Sequence, residues 1–187
     1  MKINIRSIPA FERISANGIN SIESNAEYIK YQMGQPIYQE KILPSKVLFI
    51  LSGTARLIHA DTSEPWTTIK TLRSHSFLGL SSLICAHPCE KVYASSELLA
   101  MSLPDTLIID LYQTEESFKH WCNKNIQEAE PYAIANHLYI TSSRSNFDLK
   151  ECTEKLTNNI SLKVLNGGET LDDENEKLNI VGSGNIV

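Results

Sequence analysis

The residues able to do chemistry in this chain concentrate in one stretch, from Gly79 to Lys91. Gly79-Leu80-Ser81-Ser82 sets a turn-forming glycine ahead of two hydroxyls and the apolar pair Leu83-Ile84. Backbone N–H groups at the start of such a turn point at an anion, and a cation nearby completes the site. Lys91 is the cation within reach, because no arginine lies between Arg73 and Arg144. A lysine supplies a point charge without the guanidinium's bidentate fork. Glu90, beside it, works against an anion. The plainer reading of the two serines is a helix cap.

Cys85-Ala86-His87-Pro88-Cys89 places three soft ligands within five positions. A structural zinc needs a fourth ligand, which His120 or Cys122 supplies only if the fold brings it near. The expectation is a surface loop with a semi-buried thiol and no metal. The histidines, at positions 59, 75, 87, 120 and 137, form no His-x-His pair. No nucleophile elbow, P-loop or dinucleotide fingerprint is present. No cysteine has a base at a recognisable spacing. No catalytic residues are expected.

Short strands and a few helices must position this stretch. Tyr28–Tyr31 and Ile37-Tyr38 carry strand formers on either side of a Met33-Gly34-Gln35-Pro36 turn. Val47–Leu51 is apolar on both faces, turns at Ser52-Gly53, and returns as Thr54–His59. Trp66–Leu72 alternates, and Val92–Ala94 and Leu98–Leu103 follow. Short strands about 8–12 residues apart imply a sandwich or barrel. Ahead of them, Pro9 to Ile22 reads as two short helices broken at Asn17-Gly18. After Pro104 the pattern turns helical: Leu107, Ile108, Leu111 and Tyr112 share one face, as do Phe118, Trp121, Cys122 and Ile126. Glu115 and Glu116 suit a helix N-terminal turn. Pro131 should end or kink that helix. Ala133–Ile140 and Phe147–Leu156 read as further helices, the latter capped by Asp148 or Asn146.

Composition sets the outer bounds. The 187 residues suffice for one domain and a further piece. At 42% hydrophobic, the chain can bury a core. A net charge of −5 argues against a nucleic-acid surface. No apolar run approaches the roughly 20 residues that span a bilayer, and Met1 to Arg6 holds no secretory signal. The four cysteines are then reduced thiols in a cytoplasmic setting.

Tyr28–Tyr38 followed by Val47–Leu57, with its Ile50-Leu51-Ser52-Gly53 turn, resembles the opening of cyclic-nucleotide-binding domains. Ile8-Pro9-Ala10-Phe11 is similar to that family's first helix, and Ser76–Ile84 to its phosphate-binding cassette. Ala94–Leu103 is similar to the last barrel strands, and Leu107–Ile126 to the hinge and C-terminal helices, so the resemblance covers roughly residues 8–130. It implies a mainly β fold with flanking helices, a jelly-roll-like β-roll. It also implies a regulatory sensor with cyclic AMP or cyclic GMP as ligand. The family places a glutamate after the cassette glycine for the ribose and an arginine before the next strand for the phosphate. Here those places read Leu80 and His87-Pro88-Cys89-Glu90-Lys91-Val92. A buried phosphate without its counter-charge costs several kcal/mol. What the resemblance leaves as candidate ligand-binding residues is Gly79, Leu80, Ser81 and Ser82 with Lys91 as the substitute cation, and they fit a scaffold that has lost or changed its ligand, or a protein-docking barrel. A cupin-like metalloenzyme is the alternative from another class; it would require a bound metal.

Three parts are expected: the barrel with its hinge helix over 1–130, a helical extension over 131–160, and an acidic tail or the start of another domain over 161–187. The order Gly167-Gly168, Leu171, Leu178–Val181, Ser183-Gly184 echoes Gly34, Ile37, Leu48–Leu51, Ser52-Gly53. That echo points to a longer parent protein, and a membrane exporter with its own peptidase and ATPase is one home the arrangement resembles. The expected partners are an attached or separate effector and a second copy of the chain through the C-terminal helices, without nucleic acid. In the family, ligand closing on the cassette shifts the following helices. The sensor surface would be Gly79–Leu83 with Lys91, and the relay Leu107–Ile126.

Overall fold

Segment 47–51 is apolar on both faces because both faces are covered. The computed structural model describes residues 3–39, 41–59, 66–125, 129–141, 147–160, 165 and 167–170. Its strands are β1 (Glu27–Tyr31), β2 (Pro36–Tyr38), β3 (Lys46–Ser52), β4 (Ala55–His59), β5 (Thr67–Leu72), β6 (Phe77–Leu78), β7 (Val92–Ala94) and β8 (Leu98–Pro104). Its helices are α1 (Ala16–Asn25), α2 (Leu80–Ile84), α3 (Asp105–Thr114), α4 (Glu116–Lys124), α5 (Ala129–Thr141) and α6 (Leu149–Asn159). Two antiparallel four-stranded sheets form, in the orders β1-β8-β3-β6 and β2-β7-β4-β5. This is the jelly-roll-like β-roll expected from the sequence.

Side chains alternate along β3, so the pleat divides them between two cores. Val47 and Phe49 join Phe11, Ile22, Met101, Leu103, Ile108 and Phe118 on the outer face of the first sheet. Leu48 and Ile50 face into the roll with Leu57, Ile69, Leu78, Val92, Leu98 and Ala100. The pairing Val47↔Leu103 and Ile50↔Ala100 keeps β3 and β8 in step on both faces. At the end of β3, Gly53 adopts φ +87 and lies so close to the Glu97 carbonyl that a Cβ would overlap it. The Ser52-Gly53 turn thus needs its glycine twice over.

Asn17-Gly18 does not break a helix. It lies inside the first turn of α1, whose cap is Ser15: the Gly18 amide donates to the Ser15 hydroxyl at 3.1 Å. Glu115 reaches over this end, accepting from the Ser15 amide at 2.9 Å and from the Ser15 hydroxyl. A Cβ on Gly18 would sit 2.7 Å from the Glu115 carboxylate, so the glycine admits the acid that offsets the helix dipole. Pro131 does not end a helix either. It is the third residue of α5, in the first turn, where its missing N–H has no intrahelical acceptor to lose. The Asp148 cap is present: its Oδ1 accepts from the Glu151 amide at 2.9 Å.

The segment read as a helical extension packs into the roll. α5 and α6 lie against each other and place Tyr132, Ala135 and Leu149 in the interior core with the strand residues. Phe118 and Cys122, read as core or dimer seam, are buried in the outer core, and Trp121 packs edge-on against Phe77 at 5.6 Å. Among the described residues no helix is long and apolar enough to cross a membrane. Ile126 and the tail echo beyond Thr170 lie outside the described residues.

Candidate functional site

β6 pairs with β3 through Leu48↔Leu78, and the chain then turns at Gly79 into α2. Gly79 adopts φ +82, and a Cβ there would meet the Tyr38 hydroxyl at 2.8 Å. The Tyr38 hydroxyl donates to the Lys46 carbonyl at 2.7 Å, which fixes the ring over the turn. Both conformation and space therefore require glycine at this position.

Four of the five sequence candidates meet here. Leu80 buries its side chain in the outer core, where it has no polar role. Ser81 is buried and its hydroxyl has no partner among the described residues. Ser82 and the Gly79 amide point at Glu90. Its carboxylate accepts from the Gly79 amide at 2.7 Å, the Ser82 hydroxyl at 3.2 Å and the Ser82 amide at 3.5 Å. Glu90 is only 6% exposed. In sequence it reads as an obstacle to an anion; in the structure its carboxyl group takes the place an anion would occupy.

The fifth candidate is elsewhere. The Lys91 ammonium lies 5.4 Å from the centre of the Trp66 ring, and Trp66 stacks with Tyr93 at 4.9 Å. The reason is the pleat: Glu90, Val92 and Ala94 are buried while Lys91 and Tyr93 between them are half-exposed. A one-residue step from the inward acid puts the lysine on the other face.

Burial pushes the Glu90 carboxyl above its ordinary value, the hydrogen bonds from Gly79 and Ser82 work against this, and the charge of Glu130 on α5 adds to the rise. Burial likewise pushes the thiols up, Cys85 to about 11 and Cys89 and Cys122 to about 12. They stay protonated near neutral pH, so they are poor nucleophiles and poor metal ligands as they stand. Among the described residues no cluster of three or more His, Cys, Asp or Glu side chains could hold a metal ion. Ala86, at φ 50, keeps the loop before Glu90 in a conformation that costs a non-glycine residue about 1–2 kcal/mol.

Two features complete the site, and sequence reasoning assigned neither. A space of about 10 Å³ lies between Leu80, Ser81, Ile84, Cys122 and Glu130. It holds about one water, far short of the roughly 300 Å³ at which ligand pockets begin. The open side of the roll is closed by α5. The Tyr132 hydroxyl and His59 Nδ1 are 3.0 Å apart, and the Tyr139 ring meets the His59 ring edge-on at 5.8 Å. The period-2 parity of Glu90 with Val92 and Ala94 was the available signal for the acid. For α5 the signal was a helix apolar around its circumference, which must be covered on more than one side.

No protein-family model matches the sequence, and no curated protein matches it. Solved structures do. The chain is similar to the sensor domain of the transcriptional regulator DNR from Pseudomonas aeruginosa, at 8% identity and a TM-score of 0.54, over 77% of this chain and 94% of that one. It is similar to the Thermus thermophilus catabolite activator protein at 17% identity and a TM-score of 0.52, over 80% of this chain and 62% of that one. It is similar to the regulatory domain of Toxoplasma gondii PKA, solved with cAMP, at 14% identity and a TM-score of 0.54, over 62% of this chain and 44% of that one. With its two antiparallel four-stranded sheets and flanking helices, the present chain has the fold of the cyclic-nucleotide-binding domains.

Proposed function

We propose that this chain is a regulatory, non-enzymatic module that reads a protein partner, and that its output is the position of α5–α6. The observation that carries this reading is the hairpin's place in the core. Tyr132, Ala135 and Leu149 close the roll from a segment that follows all eight described strands. The same α5 borders the cassette through Glu130, beside Leu80 and Ser81. A displacement at either the roll or the cassette is therefore felt by one element. An attached effector, such as the exporter implied by the resemblance, would be driven by that displacement.

Cyclic AMP and cyclic GMP are disfavoured as the ligand. A nucleotide phosphate would have to evict the Glu90 carboxylate from the Gly79 and Ser82 amides. The cassette and the stretch before the next strand supply no arginine to replace the lost charge balance, since none lies between Arg73 and Arg144 in the sequence. Room for the base would require α5 to leave. A cytoplasmic setting and a second copy of the chain as partner are consistent with this role and are parts of the proposal.

Hydrogen exchange on the whole chain, with and without millimolar cyclic AMP or cyclic GMP, tests the reading. The amides of α5 and α6 should exchange through an opening of their own, more easily than those of β3 and β8, and neither nucleotide should alter it. Exchange of the hairpin only together with the strands would overturn the output role. A saturable nucleotide effect, up to about 2.7 kcal/mol at 100 times Kd, would overturn the partner reading.

A further inference from the structure

The second sheet turns one face into the roll and the other away from both cores. On that outer face one row of residues crosses all four strands. Pro36 on β2 opposes Tyr93 on β7, Tyr93 opposes Arg56 on β4, and Arg56 opposes Thr71 on β5. Directly opposed residues share a face, and none of these four belongs to the outer or the interior core. Lys91, two positions before Tyr93, has the same parity. Trp66, just ahead of β5, packs onto this row. Its ring meets the Tyr93 ring at 4.9 Å and lies 5.4 Å from the Lys91 ammonium, yet Trp66 stays 60% exposed. The four strands contain no acidic residue, and Glu90, the acid beside β7, is buried on the other side. Among the described residues neither Arg56 nor Lys91 has an acidic partner.

We propose that this face docks an acidic peptide segment of a partner protein, with Trp66 and Tyr93 as aromatic anchors and Arg56 and Lys91 as counter-charges. The proposal rests on the reading of the chain as a module that reads a protein partner, and it names the surface and the partner's chemistry. Trp, Tyr and Arg are the residue types that carry most of the energy at protein interfaces, and here all three are neighbours. A tryptophan already held by a stacked tyrosine and a lysine has less side-chain freedom left to lose on binding. The cations stand on strands free of acids in a chain whose net charge is −5. An acidic segment is therefore drawn to this face and repelled by the molecule as a whole, which fixes where it docks. The same charge disfavours nucleic acid, because two cations fall far short of the roughly 6–10 phosphate contacts of a protein that binds a duplex.

NMR on the whole chain, titrated with deca-glutamate at low salt, tests the docking. The Trp66 indole N–H, identified by its loss in Trp66→Phe, should shift saturably together with the amides of Arg56, Thr71 and Tyr93. The double variant Arg56→Glu with Lys91→Glu should weaken the apparent Kd by about tenfold or more. Both side chains reach solvent, so the fold does not depend on them. Salt at about 0.5 M should weaken binding in the same direction, and deca-lysine should leave the indole where it is. An indole unmoved by millimolar deca-glutamate overturns the inference, and so does a response that the double variant keeps. The chain's own Asp172-Asp173-Glu174-Asn175-Glu176 is the rival occupant. If neutralising those four acids moves the indole with no peptide present, the face belongs to that segment. If the indole position depends on protein concentration, the face belongs to a second copy. Either result overturns a foreign partner here. A hairpin that opens on its own while deca-glutamate leaves Trp66 unmoved overturns this inference and leaves the output role standing. A hairpin that exchanges only with the strands overturns the output role, while the indole titration still decides the docking face.

Discussion

The two cores of this protein are built by different means, although β3 and β8 contribute to each. The outer core is aromatic. Phe11 packs on Phe118 at 5.5 Å and on Phe77 at 5.8 Å, and Phe77 meets Phe49 at 4.9 Å. These rings come from an N-terminal turn, two strands and α4, so the contacts tie distant parts of the chain together. The interior core is lined by Ala55, Ala94 and Ala100 with Leu, Ile and Val, and Tyr132 is its one buried aromatic residue among the described residues. It is finished by a hairpin that arrives after the strands are complete. On the proposed reading, the outer core belongs to the cooperative unit, whereas part of the interior core is contributed by the element proposed to move. The difference teaches that one sheet can be covered on one face by contacts that join distant parts of the chain and finished on the other by a single late hairpin.

The strongest way to break this comparison is in the outer core. Phe118 is fully buried. Phe118→Ala should cost about 3–5 kcal/mol, and Tm should fall about 2–4 °C for each kcal/mol. Calorimetry should report one transition at lower temperature, and hydrogen exchange a loss of protection shared by β3, β8, α1, α3 and α4. If α5–α6 alone loosened in this variant, the outer core would not be the cooperative unit.

A smaller effect, and a local one, is expected at the roll's closure. Ala135 is fully buried in the interior core. Ala135→Leu inserts three carbons into filled space, which costs typically 1–3 kcal/mol. The hairpin offers the easier relief, so α5–α6 should lose protection while β3, β8 and the Phe118 cluster keep theirs. A global fall in Tm with uniform loss of protection would make the hairpin an integral part of the roll.

How much of this was legible in the sequence depends on how far each constraint reaches along the chain. The two-faced apolar run in β3 and the Ser52-Gly53 turn are local patterns, and both stand in the structure as read. The cassette glycine is legible for the same reason: φ +82 needs it whatever lies around it. Glu90 was half-legible. Its parity with Val92 and Ala94 aims it inward, but only the fold brings it to the Gly79 amide, 11 positions away in the chain. Choosing Lys91 followed charge and ignored parity. The continuity of α1 through Asn17-Gly18 had a local signal in its cap, Ser15, but the acid that reaches over that end, Glu115, lies 100 positions away in the chain. Pro131 was misread because a proline breaks a helix interior but suits a first turn, and sequence alone did not fix where α5 starts.

The smallest effect tests the polar link between the two parts. The Tyr132 hydroxyl and His59 Nδ1 form a hydrogen bond of 3.0 Å from α5 to β4. Tyr132→Phe keeps the ring and its edge-on contact with His59 while removing the oxygen. A hydrogen bond of this kind contributes about 0.5–1.5 kcal/mol, near the limit of a thermal scan. Hydrogen exchange resolves it better, because the loss falls on one equilibrium: docking of the hairpin. Protection of α5–α6 should drop severalfold, up to about tenfold for 1.4 kcal/mol, with β3 and β8 unchanged. His59 Nε2 is buried without a partner among the described residues, where Tyr132 makes the hydrogen bond to the imidazole. The double variant with His59→Phe, which removes both polar partners, should therefore recover part of the loss, since two apolar rings leave no unpaired nitrogen behind. A double variant less protected than Tyr132→Phe would mean that the contact holds the roll itself rather than the hairpin's seat upon it.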